Sequence, residues 1–184
     1  MSLSINVLKK NAVENKYKIT CATDAIKLEE IQEIRNAYQE YFFFIGLDRA
    51  NNFRTINLLG IGPSNCININ SRDIVRTALI TNSEKIILVH NHPSDSLRPS
   101  SEDINLTNHI NKVIKVFNIE LLDHIIVTED RHVSMKKLEV IDKNYTDKNI
   151  EMMEKILLLE ENKKLKQELL DIKEKQLEED EEAL

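Results

Sequence analysis

The stretch Ile86-Ile87-Leu88-Val89-His90-Asn91-His92-Pro93-Ser94-Asp95-Ser96-Leu97-Arg98-Pro99-Ser100-Ser101-Glu102-Asp103 decides how this chain is read. Four apolar residues, enough for a buried strand, lead directly into two histidines at i and i+2. On a strand that spacing turns both imidazoles to one face. Pro93 cannot donate to a sheet ladder, so the strand is expected to stop there and leave the histidines at its exposed C-terminal end. A short loop with a second proline then reaches Ser100, a good N-cap for the helix that follows. Asp103 falls at the third helical position, where free amides and the helix dipole favour a carboxylate. The loop is short enough to swing Asp103 over the histidines. Two neutral imidazoles and one carboxylate make three protein ligands, the usual complement for a zinc ion that keeps its fourth position for water. Taken alone, Ser100 and Asp103 are an ordinary capping pair, and His109 and His132 are ordinary core or surface residues. The convergence of strand end, breaker, cap and carboxylate is what points to a metal.

Outside this stretch the composition sets bounds. The 184 residues suit one domain with an appendage, and an apolar fraction of 41% suffices for a real core. Met1 is not followed by the continuous apolar run of an export signal, and no stretch approaches the length of a membrane span, so a cytoplasmic protein is expected. Cys21 and Cys66 are far apart in sequence, which favours reduced thiols over a disulfide framework. They also lack the Pro-Cys-x-x-Cys pairing that a zinc deaminase needs. Three glycines are too few for a phosphate-cradling loop. Residues 147–184 hold 13 acidic and 7 basic side chains and carry the whole net charge of −6, so the rest of the chain is neutral. A neutral body with no dense Lys/Arg run lacks the electrostatic footprint of non-specific nucleic-acid binding.

The order of elements follows from periodicity. Residues 1–16 read as a polar N-terminal arm. A first strand is expected over 17–20, then a helix capped by Thr23 or Asp24 and running to about Gln39, with Leu28, Ile31, Ile34 and Tyr38 at helical spacing. The unbroken apolar run 41–47 suits a central strand, the turn chemistry of 48–52 a hairpin, and 53–59 its antiparallel return. Gly60 and Gly62 mark a bend or bulge beside the site. A short strand at 66–69 and a helix capped by Ser71, with Ile74, Val75, Ala78 and Leu79 as its buried stripe, lead into the histidine strand. Beyond Asp103, Leu106, Ile110, Val113, Ile114 and Phe117 line one helical face. Asp123 and His124 precede the run 125–127, where a strand-start histidine paired with its neighbouring carboxylate is expected in preference to a further ligand. An edge strand at 131–135 closes the domain.

The motif His90-x-His92-Pro93, six residues, then Ser100-x-x-Asp103 resembles the signature of JAMM-type metalloproteases of the JAB/MPN domain. With Val89 and Ser94, Pro99, Thr107 and the run Leu121-Leu122-Asp123-His124-Ile125-Ile126-Val127, it is more similar to the bacterial RadC-like branch, over about 18–138. The resemblance implies an α/β fold, a three-layer JAB/MPN-like (cytidine-deaminase-like) mixed sheet flanked by helices, over 17–140. It implies zinc held by His90, His92 and Asp103, with Ser100 polarising the scissile carbonyl or holding the oxyanion. It also implies a catalytic glutamate on an earlier strand, shortly before a Gly-Thr-like turn, which corresponds here to 55–63. That stretch has none, and no glutamate occurs between Glu40 and Glu84. A zinc hydrolase needs a carboxylate or equivalent base within reach of its water; Asn57 cannot serve, which leaves Glu40 or Asp48 to be brought in by the fold. Members of this family have been labelled DNA repair factors, but nothing physical in these residues supports direct DNA contact.

From about Asn149 glycine and proline vanish, and Leu158, Asn162, Leu165, Leu169 and Ile172 fall on an a/d rhythm. The charged C-terminal helix at 149–184 is either a short coiled coil, pairing through 152–177 with a second copy or a partner helix, or a single solvated helix. It lies outside the resemblance, and residues 1–16 show no sign of the helix-hairpin-helix segment often found ahead of RadC-like domains. Two functions remain open. One is a cytoplasmic Zn2+-dependent hydrolase acting on a peptide or isopeptide bond of a peptide or protein substrate. The other is a catalytically silent binding module in which the metal is structural. A carboxylate beside the histidines separates them.

Overall fold

A computed structural model describes residues 17–63 and 69–141, together with 155, 158, 159, 162, 163, 165–167 and 169–173. The chain divides into two compact units, Met1–Asn144 and Tyr145–Leu184.

The first unit is built on apolar runs that the chain has no other way to bury. β1 (Glu40–Leu47) and β2 (Phe53–Gly62) form a hairpin, β3 (Lys85–Asn91) lies antiparallel to β1 on its other side, β4 (Glu120–Val127) lies parallel to β3, and β5 (His132–Ser134) closes antiparallel on β4. The five-stranded sheet therefore runs β2-β1-β3-β4-β5. The one parallel step needs a crossover, which α4 (Ser101–Lys115) supplies. α3 (Ser71–Ile80) joins β2 to β3, and two single-turn helices, α1 (Ala22–Ile26) and α2 (Glu29–Glu33), precede β1.

Alternation along the strands sorts the core into two layers. Phe42 and Phe44 of β1 and Ile86 and Leu88 of β3 face Ile74 and Ala78 of α3 and Ile110 and Ile114 of α4. Their neighbours Phe43, Ile45, Ile87 and Val89 face Ile19, Ala25, Ile31 and Ile34 on the opposite side. Each fully buried large side chain contributes about 1.5–3 kcal/mol, so both faces of β1 and β3 need a cover of helices. This is a JAB/MPN-like three-layer α/β fold, with a mixed sheet between helical layers.

Several elements differ from the sequence expectation. The expected strand at 17–20 is a single bridge, Lys18 to Asn52. The expected helix to Gln39 breaks into α1 and α2 because Leu28 is extended, with ψ 136°. The Gln32 amide crosses the break and donates to the Ile26 carbonyl, while Asp24 turns back to accept from Thr20 and Cys21. Tyr38 leaves the expected stripe and is 94% exposed. Asn70, not Ser71, caps α3 by accepting from the Arg72 amide, and Leu79 is exposed. β2 continues past the expected end at Leu59 to Gly62, with a bulge where Phe42 pairs with Gly60 but Phe43 pairs with Leu58. Residues 1–16 and 66–68, where an arm and a strand are expected, lie outside the described residues.

In the second unit the described residues between 155 and 173 are helical. Leu158, Leu165, Leu169 and Ile172 are each more than half exposed. Among the described residues no helix is long and apolar enough to cross a membrane.

Candidate metal centre

β1 and β3 pair with Phe42 opposite His90. One step of alternation outward on each strand brings Glu40 and His92 to the same level, on the face that carries α3 and α4. His90 is fully buried at the end of β3 and Glu40 is 6% exposed. The expectation that the histidines lie at an exposed strand end thus fails for His90, beneath helix α4, while the His92 side chain is 14% exposed. Phe42 forms the floor: its ring stacks on His90 at 5.7 Å between centroids and 11° between planes.

Asp103 comes in from above. Ser100 caps α4 as expected: its Oγ accepts from the Asp103 amide at 3.0 Å, and Asp103 Oδ2 accepts from the Ser100 amide at 2.8 Å and from the Ser100 hydroxyl at 2.6 Å. This reciprocal box fixes the carboxylate so that Oδ1 stands 3.2 Å from His90 Nε2 and Oδ2 stands 3.6 Å from His92 Nε2. The two Nε2 atoms are 3.0 Å apart. Glu40 Oε1 lies 4.0 Å from His90 Nε2. Glu40, His90, His92 and Asp103 each direct one ligand atom inward, all within 4.8 Å of one another. Ligand atoms about 2.0–2.2 Å from a common ion stand at such separations, so the cluster could hold a metal ion.

The protons support this. His92 Nδ1 lies 2.7 Å from the Ser96 carbonyl, and a carbonyl only accepts, so Nδ1 carries the proton and Nε2 of the neutral ring offers a lone pair to the cluster. Burial pushes the His92 ring toward neutrality, but the Asp103 carboxylate and the Ser96 carbonyl, which would both accept from its charged form, and the charge of Glu40 outweigh it and raise its pKa. Burial alone would raise the Asp103 carboxyl; the His90 and His92 rings, which would donate to it in their charged forms, and the Ser100 hydroxyl outweigh burial and hold it far below the usual carboxylate range. Glu40 goes the other way: burial raises its carboxyl, with Asp103 adding to the rise, against the opposing pull of His90 and His92. One carboxylate is kept ionised and the other is made a stronger base.

The residue between the histidines points to the far side of the sheet and has its own task. Asn91 is fully buried; its Oδ1 accepts from the Tyr41 amide at 2.7 Å and its Nδ2 donates to the Gln39 carbonyl at 3.0 Å. Glu40 sits between those two contacts, so the histidine strand itself fixes the backbone that carries Glu40. The sequence carries no clear sign of this.

Of the two carboxylates left open by the sequence, Glu40 reaches the site and Asp48 does not. Asp48 organises the β1–β2 turn, accepting from the Ala50 and Asn52 amides and the Asn52 side chain. The 55–63 stretch is β2, and Asn57 bonds to Thr55 within it. His124 is not at a strand start, and Asp123 meets its main-chain amide, not its ring. It is fully buried in the middle of β4, with Nε2 2.8 Å from His90 Nδ1. Asp123 accepts from Ser134, the Lys136 amide and the His124 amide. His109 is exposed on α4 and His132 lies in β5.

A model of the RadC-like JAB domain matches residues 19–141. A "UPF0758 protein" of Clostridium tetani is 38% identical over 125 residues, covering 68% of this chain and 54% of its own length. Namesakes in Chloroflexus aurantiacus and Desulfitobacterium hafniense are each 33% identical, over 71% and 60% of this chain and 56% and 49% of theirs. The chain spans about half the length of these curated relatives. The sheet, the histidine strand and the capped carboxylate all lie within the matched residues, and the chain belongs to the RadC-like JAB domain family.

Proposed function

We propose that this chain is a zinc-dependent hydrolase of the JAMM type that cleaves a peptide or isopeptide bond, with Glu40 as its general base. The observation that carries the reading is Glu40 Oε1 at 4.0 Å from His90 Nε2, inside a four-residue donor set. A silent binding module has no need of a buried carboxylate with a raised pKa at that position. The donor set fits a zinc ion: two imidazoles and a carboxylate as ligands, with Glu40 left over. Zinc held by His90, His92 and Asp103 would supply Lewis acidity, polarising a carbonyl and making water a stronger acid.

The chain's own residues do the rest. Glu40 takes a proton from the attacking water as its oxygen adds to the carbonyl carbon, and returns that proton to the leaving nitrogen as the C–N bond breaks. A raised carboxyl pKa suits both halves of the cycle, since a stronger base is also a competent acid near neutral pH. Ser100, at the N-terminus of α4, is assigned to the developing oxyanion; its hydroxyl, which donates to Asp103 Oδ2, is redirected by rotation about the Cβ–Oγ bond. A cleft of about 340 Å³ opens beside His92, lined by Arg35, Tyr38, Pro93 and Glu129 among others, and gives an extended peptide a way in.

The same proposal has the segment 152–177 pair with a second copy or a partner helix through the exposed stripe of Leu158, Leu165, Leu169 and Ile172. It sets the protein in the cytoplasm, where the free thiol of Cys21 stays reduced, and gives it no direct contact with nucleic acid.

The test is Glu40→Gln against a peptide and isopeptide substrate panel. The variant should keep its zinc and its fold and lose roughly 10²–10⁴-fold in turnover. Wild-type rates in Glu40→Gln, or no cleavage by zinc-loaded wild type across the panel, would return the chain to the class of binding modules.

A further inference from the structure

We propose that His124 and Thr107 are positioning residues that hold the His90 proton on Nδ1, so that the Nε2 lone pair of His90 faces Glu40, His92 and Asp103. The inference deepens the metal reading and takes its use from it, but it concerns protons that the protein carries with or without an ion.

Three hydrogen bonds run in series behind His90, all of them buried. Thr107 Oγ1 lies 2.5 Å from the Asp103 main-chain carbonyl. That carbonyl can only accept, so the single hydroxyl proton of Thr107 points there. The sulfur of Met135, at 3.6 Å from the same hydroxyl, is a much weaker acceptor. With its proton committed, Thr107 Oγ1 can only accept from His124 Nδ1, 2.6 Å away. His124 is fully buried and its two ring nitrogens meet a hydroxyl and a second imidazole. As a neutral ring with its proton on Nδ1, it presents a bare Nε2. His90 Nδ1, 2.8 Å from that nitrogen, must then be the donor. The direction of every bond is set by a backbone carbonyl at one end, and the outcome is a lone pair on His90 Nε2.

The origin of the series matters as much as its end. The carbonyl belongs to Asp103, whose side chain meets His90 Nε2 at 3.2 Å. α4 thus delivers a carboxylate to one side of the His90 ring and, through Thr107 one turn later and His124 from β4, sets the proton on the other side. Phe42, stacked on His90 and edge-on to His124 at 5.4 Å, keeps both rings from swinging out of line. Partners that fix the tautomer of a ligating histidine commonly alter metal affinity by about 10–100-fold when removed.

The experiment combines ring-nitrogen NMR on the metal-free chain with zinc affinity measured by competition with a chromophoric chelator. In wild type, above the titration of the site, His90 should show a protonated Nδ1 and a bare Nε2. His124→Leu and the near-isosteric Thr107→Val should each shift proton density to His90 Nε2. Zinc affinity should fall by about 10–100-fold in His124→Leu. His124→Gln, whose amide can donate toward Thr107 and accept from His90, should recover most of the loss, which a role in packing alone would not produce. A protonated Nε2 on His90 in wild type, or His124→Leu with unchanged tautomer and zinc affinity, would overturn the proposal. A wild-type chain that binds no zinc, yet shows the Nδ1 proton and loses it in Thr107→Val, would refute the metal reading and leave this one standing.

Discussion

Glu40 and Asp48 are acidic residues eight positions apart at the two ends of one strand, and their environments give them opposite tasks. Asp48 is held below the usual carboxylate range chiefly by the Asn52 side chain, helped by the Asn52 and Ala50 amides and Arg54 and opposed by burial. A depressed folded-state pKa means that the folded chain binds fewer protons than the unfolded one, so its contribution is complete above the unfolded pKa and is lost as pH falls through the folded one. Asp48→Asn should therefore lower the urea midpoint at pH 7, and the gap from wild type should close as pH falls below the usual carboxylate range; a pH-independent gap would count against this role. Glu40 shows why the fourth member of the cluster was not legible from residues alone. The apolar run starts at Tyr41, and a glutamate ahead of it reads as a solvated strand end. Its real sign is parity, since Glu40, Phe42 and Phe44 alternate on one face. Parity becomes informative only when the pairing of Phe42 with His90 is known, and register between strands separated by some forty residues is not written in local sequence.

Elements whose signals are local were readable in advance. α4 begins where Ser100 and Asp103 form their box, because a cap and its partner lie within one turn. The β1–β2 hairpin was readable because turn residues separate two apolar runs. The helix expected to reach Gln39 was not, since nothing in its composition marks the extended Leu28, and tertiary packing of Ile31 and Ile34 beneath the sheet decides the break. His124 failed for the same reason as Glu40: it lies mid-strand, opposite Leu88 across a parallel pairing, and only that pairing brings it behind His90. Between the elements, Asn91 is the fastening with the clearest consequence. Asn91→Ala leaves the Tyr41 amide and the Gln39 carbonyl without their partner and should cost about 1–3 kcal/mol in urea unfolding, with faster hydrogen exchange at the Tyr41 amide. An unchanged midpoint and unchanged exchange would mean that β1 holds Glu40 in place without help from β3.

At the scale of the molecule, the sheet order explains how one short motif becomes a site. β3 is the third of five strands, so both its neighbours contribute: β1 brings Glu40 and Phe42, β4 brings His124, and α4, the crossover required by the parallel step, brings Asp103 over the top. Four elements meet at one strand end, and three acceptor groups, the His92 Nε2, Asp103 and Glu40, converge on His90 with few protons among them. Such a cluster is costly without a cation, and that cost is the physical ground for a metal. The measurement that bears on it most directly is zinc content by elemental analysis of the purified chain, alongside Asp103→Ala. The account predicts about one zinc per chain, the stoichiometry of a single three-ligand site, and its loss in the variant. A wild-type protein that takes up no stoichiometric zinc even when supplied with it, or an Asp103→Ala chain that retains it in full, would contradict the account.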